Sequence, residues 1–375
     1  MTSTRHDAEG LTDRELLETL HSFGLGLDRS ALGRLCDGAL SAQEVAEPLI
    51  ESCGFKTEAE ERQGEWIWIS ITALWQRWWP DRVCLELLDD KIQAGYRHME
   101  QSRTAEGTRS WLGAWEDVRK LVEITGIRSI SDFDDRFPLT QSLYNWCQDL
   151  EDGLWNAGLD DPLFLRARIS FCDEALARFP HEDQLMMENR RRALGESLFD
   201  VGETGKAQEF YQSWLTDDPR WGWGWIGWSD CHWQGQRGRP KDHGRGEEIL
   251  RRGYSVPGVR DRADIAERLS ELCQETGRRA EARELGREAA RLRRAPHATL
   301  ASHAELDVTD EERAVVRQTA TLTFAGAGLP LEQLPEALRA GRAALRPARS
   351  AKVGRNAPCH CGSGRKFKRC CGSRP

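Results

Sequence analysis

Apolar residues recur at three- and four-residue spacing along much of the chain, with few Gly or Pro interruptions. The pattern covers residues 11–32 and 58–99 and returns on one face of residues 111–121. This is the period of an amphipathic α-helix. The segment 66–71 alternates Trp and Ile as a strand does, but the helical spacing continues beyond it to Pro80. Elsewhere in the sequence, apolar and polar residues do not alternate between tight turns as they do in strands. The pattern therefore predicts an all-α fold.

A recurring spacing of small and large residues occupies residues 161–300. Its clearest unit is a pair of helices in which Gly195 and Ala207 allow close approach and Pro219 ends the second helix. That unit comprises Leu194, Gly195, Leu198, Gly202, Ala207, Tyr211, Trp214 and Pro219. Parts of it recur as Cys172, Ala175 and Pro180, and as Leu269, Ser270, Gly277 and Ala282. Arg168 departs from the pattern, since it stands where a small residue is expected.

These residues resemble the tetratricopeptide repeat, in which pairs of helices stack into a solenoid. Trp225 and Trp228 open a further unit, and its second helix is predicted near Glu247 to Tyr254. The resemblance implies a tetratricopeptide-like α-solenoid with a concave groove that accepts a peptide or a partner helix.

The whole chain divides into five predicted parts. They are an N-terminal helical domain (1–160), the tetratricopeptide-like repeats (161–300), terminal helices (301–345), a flexible basic linker (346–357) and a small cysteine-rich C-terminal module (358–375).

Residues 221–233 are unusually rich in Trp. One interpretation is an aromatic platform for a base, a peptide or a cation. The other, which we favour, is that large aromatic side chains at helical spacing fill the core between repeats. The candidate platform residues are Trp221, Trp223, Trp225 and Trp228.

The same segment places Cys231 between Asp230 and His232. Neighbouring residues on a helix point in different directions, so these three do not form a nucleophile, base and orienting group. The chain also has no phosphate-binding Gly loop, zinc-protease helix or nucleophile elbow. We therefore assign no catalytic residue and predict that the protein is not an enzyme. An enzyme with its site in the Trp-rich region remains an alternative.

Charge is distributed very unevenly along the 375 residues. The chain carries a net −8, but residues 331–375 hold 11 Lys and Arg against two Glu, a net +9, so the rest carries −17. An acidic body repels nucleic acid and anionic membranes, whereas a basic tail can reach phosphates or an acidic protein. With no apolar run of eighteen residues and no leader segment, the sequence predicts no membrane span and a cytoplasmic location.

Four of the 11 cysteines fall within the last 17 residues, and the other seven are scattered, as expected for a reduced protein with a metal site at its end. Cys359 and Cys361 are followed by a turn at Gly362–Gly364 that returns Cys370 and Cys371 to the first pair. Four thiolates favour tetrahedral zinc and leave no open position, so the predicted site is structural.

This tail is similar to the SEC-C motif, named for the zinc-binding C-terminal tail of the SecA preprotein translocase. The matching residues run from Asn356 to Gly372 without a gap, and His360 stands where the family often has proline. The resemblance implies one zinc ion held by Cys359, Cys361, Cys370 and Cys371, with His360 as a spare ligand. It also implies a basic module that docks on a protein partner or the ribosome, through Arg365, Lys366, Phe367, Lys368 and Arg369.

Together these features predict a bacterial zinc-binding adaptor for protein–protein interaction, in export, chaperone or ribosome-associated handling. The alternative from the tail charge is a nucleic-acid or ribosome-binding protein, with nucleic acid as the secondary partner.

Overall fold

A computed structural model of the chain describes Ala8 and residues 10–55, 57–234 and 240–294. These residues belong to the first of two compact units, Met1–Ala295. The predicted terminal helices, linker and zinc module all lie outside the described residues.

The described residues form fifteen helices and no strand, which confirms the all-α prediction. In chain order they are α1 Asp13–Ser22, α2 Arg29–Leu35, α3 Ala42–Cys53, α4 Glu58–Trp78, α5 Leu85–Glu100, α6 Thr104–Thr125, α7 Ile130–Arg136, α8 Leu143–Gly158, α9 Pro162–Arg178, α10 Gln184–Asp200, α11 Thr204–Asp217, α12 Gly222–Trp233, α13 His243–Ser255, α14 Arg262–Glu275 and α15 Arg279–Arg294.

Local sequence signals fix several helix ends. Thr12 caps α1 by accepting a hydrogen bond from the backbone N–H of Glu15, whose carboxylate accepts one from the Thr12 N–H. Ser129 caps α7 by accepting a hydrogen bond from the backbone N–H of Asp132. Gly126 ends α6 with φ +71°, a left-handed conformation that favours glycine. The strand-like segment of Trp and Ile lies within α4, as predicted.

Three groups of buried side chains form the core. The first comprises residues between 8 and 84, the second residues between 83 and 207, and the third residues between 211 and 272. The predicted domain boundary at residue 160 falls inside the second group, because α8 and α9 pack against each other there.

From α8 onward the helices are paired: α8 with α9, α10 with α11, α12 with α13 and α14 with α15. The first helices of the last three pairs also pack against one another in order, α10 on α12 and α12 on α14. Small residues allow the two helices of a pair to approach closely. A methyl group added to Gly195 would lie 2.5 Å from the Tyr211 ring. The hydroxyl of Ser229 donates to the carbonyl of Gly246, and that of Ser270 to the carbonyl of Ala282.

These contacts place the matching small residues of the sequence at equivalent positions in three successive pairs. Identification of the pairs as tetratricopeptide repeats stays a prediction.

Candidate functional site

A cavity of about 420 Å³ opens among the first helices of all four pairs. Its size is within the range of small-ligand sites. We call it the acidic cavity, and it is lined by Trp155, Glu196, Phe199, Asp200, Thr204, Asp230, Cys231, His232, Gln234, Pro240, Asp242 and Arg268. Because α8, α10, α12 and α14 each contribute to the wall, only the stacking of the pairs creates it.

Aromatic side chains form part of the wall. The Phe199 and His232 rings meet edge to face, with their centroids 5.0 Å apart. The Arg168 guanidinium lies over the Trp155 ring, 4.9 Å from its centroid. Flat aromatic faces of this kind attract cations as well as apolar groups.

Two carboxyl groups of the wall are held in an environment that disfavours their charge. Burial raises the pKa of Asp230 to about 7, although Arg268, 3.2 Å from Oδ2, opposes the shift. The Oδ1 atom of Asp230 is buried, and a side-chain hydrogen bond with Gln234 also opposes the rise of the pKa of this carboxyl. Burial likewise raises the pKa of Glu196, which lies 3.4 Å from Arg192.

The contacts of Arg168 account for its departure from the repeat pattern. Its guanidinium is buried, pairs with Glu151 at 2.7 Å and donates to the Ser197 hydroxyl at 3.0 Å. It also lies 3.9 Å from Glu196. A small residue is absent here because α8, α9 and α10 are joined by a buried charged cluster rather than by close backbone approach.

Asp230, Cys231 and His232 all line the acidic cavity, which sequence reasoning did not foresee. Burial raises the pKa of the Cys231 thiol well above its ordinary value, so the thiol stays protonated near neutrality. Burial lowers the pKa of His232, and its Nε2 atom has no hydrogen-bond partner in the described part of the chain. The three groups therefore provide no thiolate nucleophile.

The candidate aromatic platform is largely inside the protein. Trp221, Trp225 and Trp228 are at most 4% exposed and belong to the third core group, so they present no stacking surface. Trp223 is 37% exposed, and the Arg192 guanidinium covers its ring at 5.4 Å. The platform interpretation is corrected for the three buried rings, which fill the space between pairs as the alternative proposed.

Sequence reasoning also missed a second group of ligating side chains. Glu247, Cys273 and Glu281 place one ligand atom each within 4.8 Å of one another. Both carboxylates are already paired: Arg278 lies 2.5 Å from Glu247, and Arg251 pairs with Glu281. This neutralisation disfavours a metal ion there, because a cation would have to displace two guanidinium groups.

A signal for the acidic cavity was present in the repeat register. Glu196 and Asp230 directly follow the small residues Gly195 and Ser229, and they lie 34 positions apart, the tetratricopeptide period. Glu271 follows Ser270 in the next pair. An acidic residue thus recurs at the same position of three first helices. Trp155 and Arg268 carried no comparable signal.

No helix of the described residues is both long and apolar enough to cross a membrane. Their seven cysteines are all free thiols. The predicted zinc ligands, the spare ligand His360 and the basic docking residues of the tail lie outside the described residues.

The described residues define an all-α protein of paired helices. At its C-terminal end the chain carries a SEC-C motif: the family's model matches residues 355–373, which confirms the resemblance drawn from the tail. A 27-residue stretch is 67% identical to a UPF0225 protein of Geobacter sulfurreducens, and the match covers 7% of this chain and 17% of that protein. The chain thus spans less than a fifth of that relative's length.

Proposed function

We propose that this protein is a zinc-binding helical adaptor that mediates protein–protein interaction. The observation that carries the proposal is the SEC-C match at residues 355–373. That segment contains four cysteines in a Cys-x-Cys and Cys-Cys arrangement. A set of four thiolates suits tetrahedral Zn²⁺, which would organise the short tail without catalysing a reaction. In this proposal, Cys359, Cys361, Cys370 and Cys371 hold one ion.

The proposed docking surface is the basic segment between the two cysteine pairs. Arg365, Lys366, Lys368 and Arg369 surround Phe367. Four cations beside an aromatic ring suit an acidic patch on a protein, since charge steers the encounter and the ring adds apolar contact. The helix pairs α8–α15 supply the second contact, along the first helices that line the acidic cavity.

A second candidate function is RNA or ribosome binding through the tail. The net +9 of residues 331–375 favours it, because each phosphate contact gains from counterion release. The −17 carried by the rest of the chain opposes it over most of the surface.

Binding measured at two salt concentrations separates the two candidates. The intact chain would be titrated against ribosomes, an unfolded-client chaperone and a nonspecific RNA at about 50 and 200 mM salt. RNA binding through six or more phosphates should weaken by roughly 10³-fold or more over that range. Binding to a protein through partly apolar contacts should weaken much less, since buried apolar contact is not screened.

If the protein is an adaptor, we expect its affinity for a protein partner to persist at 200 mM salt and to decrease on charge reversal of Lys366 and Lys368. The matched control is reversal of Arg283 and Arg287, two exposed residues of α15, which changes the net charge equally. Tight binding to RNA alone, with a steep salt dependence, would replace the adaptor proposal by the second candidate.

A further inference from the structure

Two further cavities flank the turn between α2 and α3, and neither shares a residue with the acidic cavity. The first, of about 390 Å³, is bounded by this turn, by residues 81–83 and by the end of α6 at Ile124. The second, of about 400 Å³, is bounded by the same turn, by Leu35 of α2 and by Val45 of α3. Residues 37–39 line both, so the two cavities, which we call the turn cavities, form one continuous surface.

Two of the side chains that line the turn cavities are apolar and exposed. Ile124 is 64% exposed at the first cavity, and Leu35 is 44% exposed at the second. The walls beside them include the buried side chains of Val83 in the first cavity and Val45 in the second. Exposed apolar side chains that adjoin an apolar hollow indicate an interaction site, whereas a single exposed Leu on a flat surface does not. A partner that fills both cavities would bury Ile124 and Leu35 together.

The turn between the cavities leaves room for a partner to approach its backbone. Asp37 and Gly38 are exposed, and Gly38 has φ +81°, a left-handed conformation that favours glycine. A Cβ atom added to Gly38 would meet no other part of the protein within 4 Å. The space above the turn is therefore open, and one partner segment can cross it from the first cavity to the second.

Three carboxylates of the first cavity have no cation to neutralise them. The side chains of Asp37, Asp81 and Glu123 line this cavity and make no ion pair or hydrogen bond with any described residue. Glu44 adds a fourth carboxylate in the second cavity. Negative charge around an apolar surface favours a partner that carries Lys or Arg beside its own apolar side chains.

The two cations of the first cavity already have other contacts. The Arg82 guanidinium lies over the Trp79 ring, 5.4 Å from its centroid. The Lys120 ammonium donates to the backbone carbonyl of Asp81 at 3.4 Å and lies 3.9 Å from the carboxylate of Asp117. The carboxylates therefore determine the charge that a partner meets.

We propose that the turn cavities form a docking surface for a basic amphipathic helix of a partner protein. Its apolar side chains enter the two cavities, and its Lys and Arg side chains face Asp37, Asp81 and Glu123. A helix suits this surface better than an extended segment, because strand addition needs a sheet edge and the described residues contain no strand. A small molecule in one cavity would leave the exposed apolar side chain of the other uncovered. The surface lies on α2, α3 and α6 and goes beyond the proposed function, since it does not use the zinc tail.

The test is titration calorimetry on the full chain with two model peptides of roughly 14 residues, long enough for about four helical turns. The first peptide has Leu on one face of the helix and Lys on the other, and the second has Glu in place of every Lys. We expect the Lys peptide to bind and the Glu peptide to bind at least about tenfold more weakly, because the carboxylates of the surface repel it. Both peptides offer the same Leu side chains to the cavities, so the difference measures charge complementarity alone.

Apolar variants locate the contact. Ile124→Gln and Leu35→Gln should each weaken binding of the Lys peptide about fivefold or more, because each removes apolar area that the peptide covers. The control is Leu163→Gln on α9, a side chain that is 70% exposed and lines neither turn cavity, and it should leave the affinity unchanged. All three side chains are exposed, so the variants should fold as the parent does.

Charge variants test the carboxylates separately. Asp37→Asn combined with Asp81→Asn should weaken binding of the Lys peptide and should not affect binding of the Glu peptide in the same direction. The control is Glu209→Gln combined with Asp217→Asn, an equal charge change at exposed positions of α11, which should leave both affinities unchanged.

Equal affinity of the Lys peptide for the parent, Ile124→Gln and Leu35→Gln would mean that acidic charge alone attracts it, and would overturn the proposal. Equal binding of the two peptides, no binding of the Lys peptide, or a loss in Leu163→Gln as large as in Ile124→Gln would overturn it as well. Replacing Cys370 and Cys371 by Ser should leave peptide binding intact, so failure of the zinc proposal and failure of this one are distinguishable.

Discussion

Gly195 lies where α10 and α11 approach most closely. A Cβ atom there would stand 2.5 Å from one carbon of the Tyr211 ring and 2.9 Å from its hydroxyl oxygen. Tyr211 is fully buried and stacks on Trp228 at 6.1 Å, so the ring has little room to move aside. The absence of a Cβ atom at Gly195 therefore makes room for Tyr211, which packs between the α10–α11 and α12–α13 pairs.

We expect Gly195→Ala to destabilise the protein by about 1–3 kcal/mol, because overpacking must displace Tyr211. The control is Gly205→Ala in α11, where an added Cβ meets nothing within 4 Å. That change should be neutral or stabilise by up to about 1 kcal/mol through helix propensity. Chemical denaturation of both variants checks the pair, and equal effects would contradict the close-packing account.

Asp230 should make stability depend on pH in a specific direction. Its folded-state pKa of about 7 lies above the ordinary value, so the folded state binds the proton more tightly than the unfolded state. The stability contributed by protonated Asp230 is full below the ordinary pKa and is lost as pH rises through about 7. Asp230→Asn should therefore be more stable than the parent at pH 8 and gain little at pH 4. Denaturation curves at both pH values test this, and a larger gain at pH 4 would contradict it.

At the scale of the helices, Arg168 connects three of them. Its buried guanidinium on α9 pairs with Glu151 of α8 and donates to Ser197 of α10. Removing one member of a buried pair leaves the other charge uncompensated, which costs more than the pair itself contributes. This cluster holds the first two pairs together beside the acidic cavity.

We expect Arg168→Met to destabilise the protein by about 3–5 kcal/mol. Adding Glu151→Gln should recover part of the loss, because the unpaired carboxylate is then removed. The control Arg166→Met breaks the more exposed ion pair with Glu203 and should cost about 1 kcal/mol or less. Thermal unfolding of the three variants checks the order. A double variant less stable than Arg168→Met would contradict the pairing.

The helices could be predicted because their apolar period and capping residues are local in sequence. The Trp and Ile of α4 and the pair α10–α11 are examples. The repeat register signals only the carboxylates Glu196 and Asp230 of the acidic cavity. The cavity itself could not be predicted, since Trp155 and Arg268 are 113 positions apart and line it only through the stacking of four pairs. Arg168 is an exception to the repeat pattern that the sequence itself shows, but its partner Glu151 is fixed by tertiary contact and has no sequence signal.

Across the whole molecule, chemistry is divided between two regions. The paired helices carry the acidic cavity, and the last residues carry the cysteine cluster and a concentrated positive charge. The SEC-C motif matches the second region. The first region is assigned to the all-α class because its described residues form helices only. We propose that the second region is a closed zinc site.

Zinc content per chain, measured by elemental analysis of purified protein, tests that claim most directly. We expect about one zinc per chain, none after Cys370→Ser with Cys371→Ser, and full retention after His360→Ala or Cys53→Ser, since four tail thiolates complete the tetrahedral set. A chain without zinc, or full retention of zinc in the double Ser variant, would contradict the account.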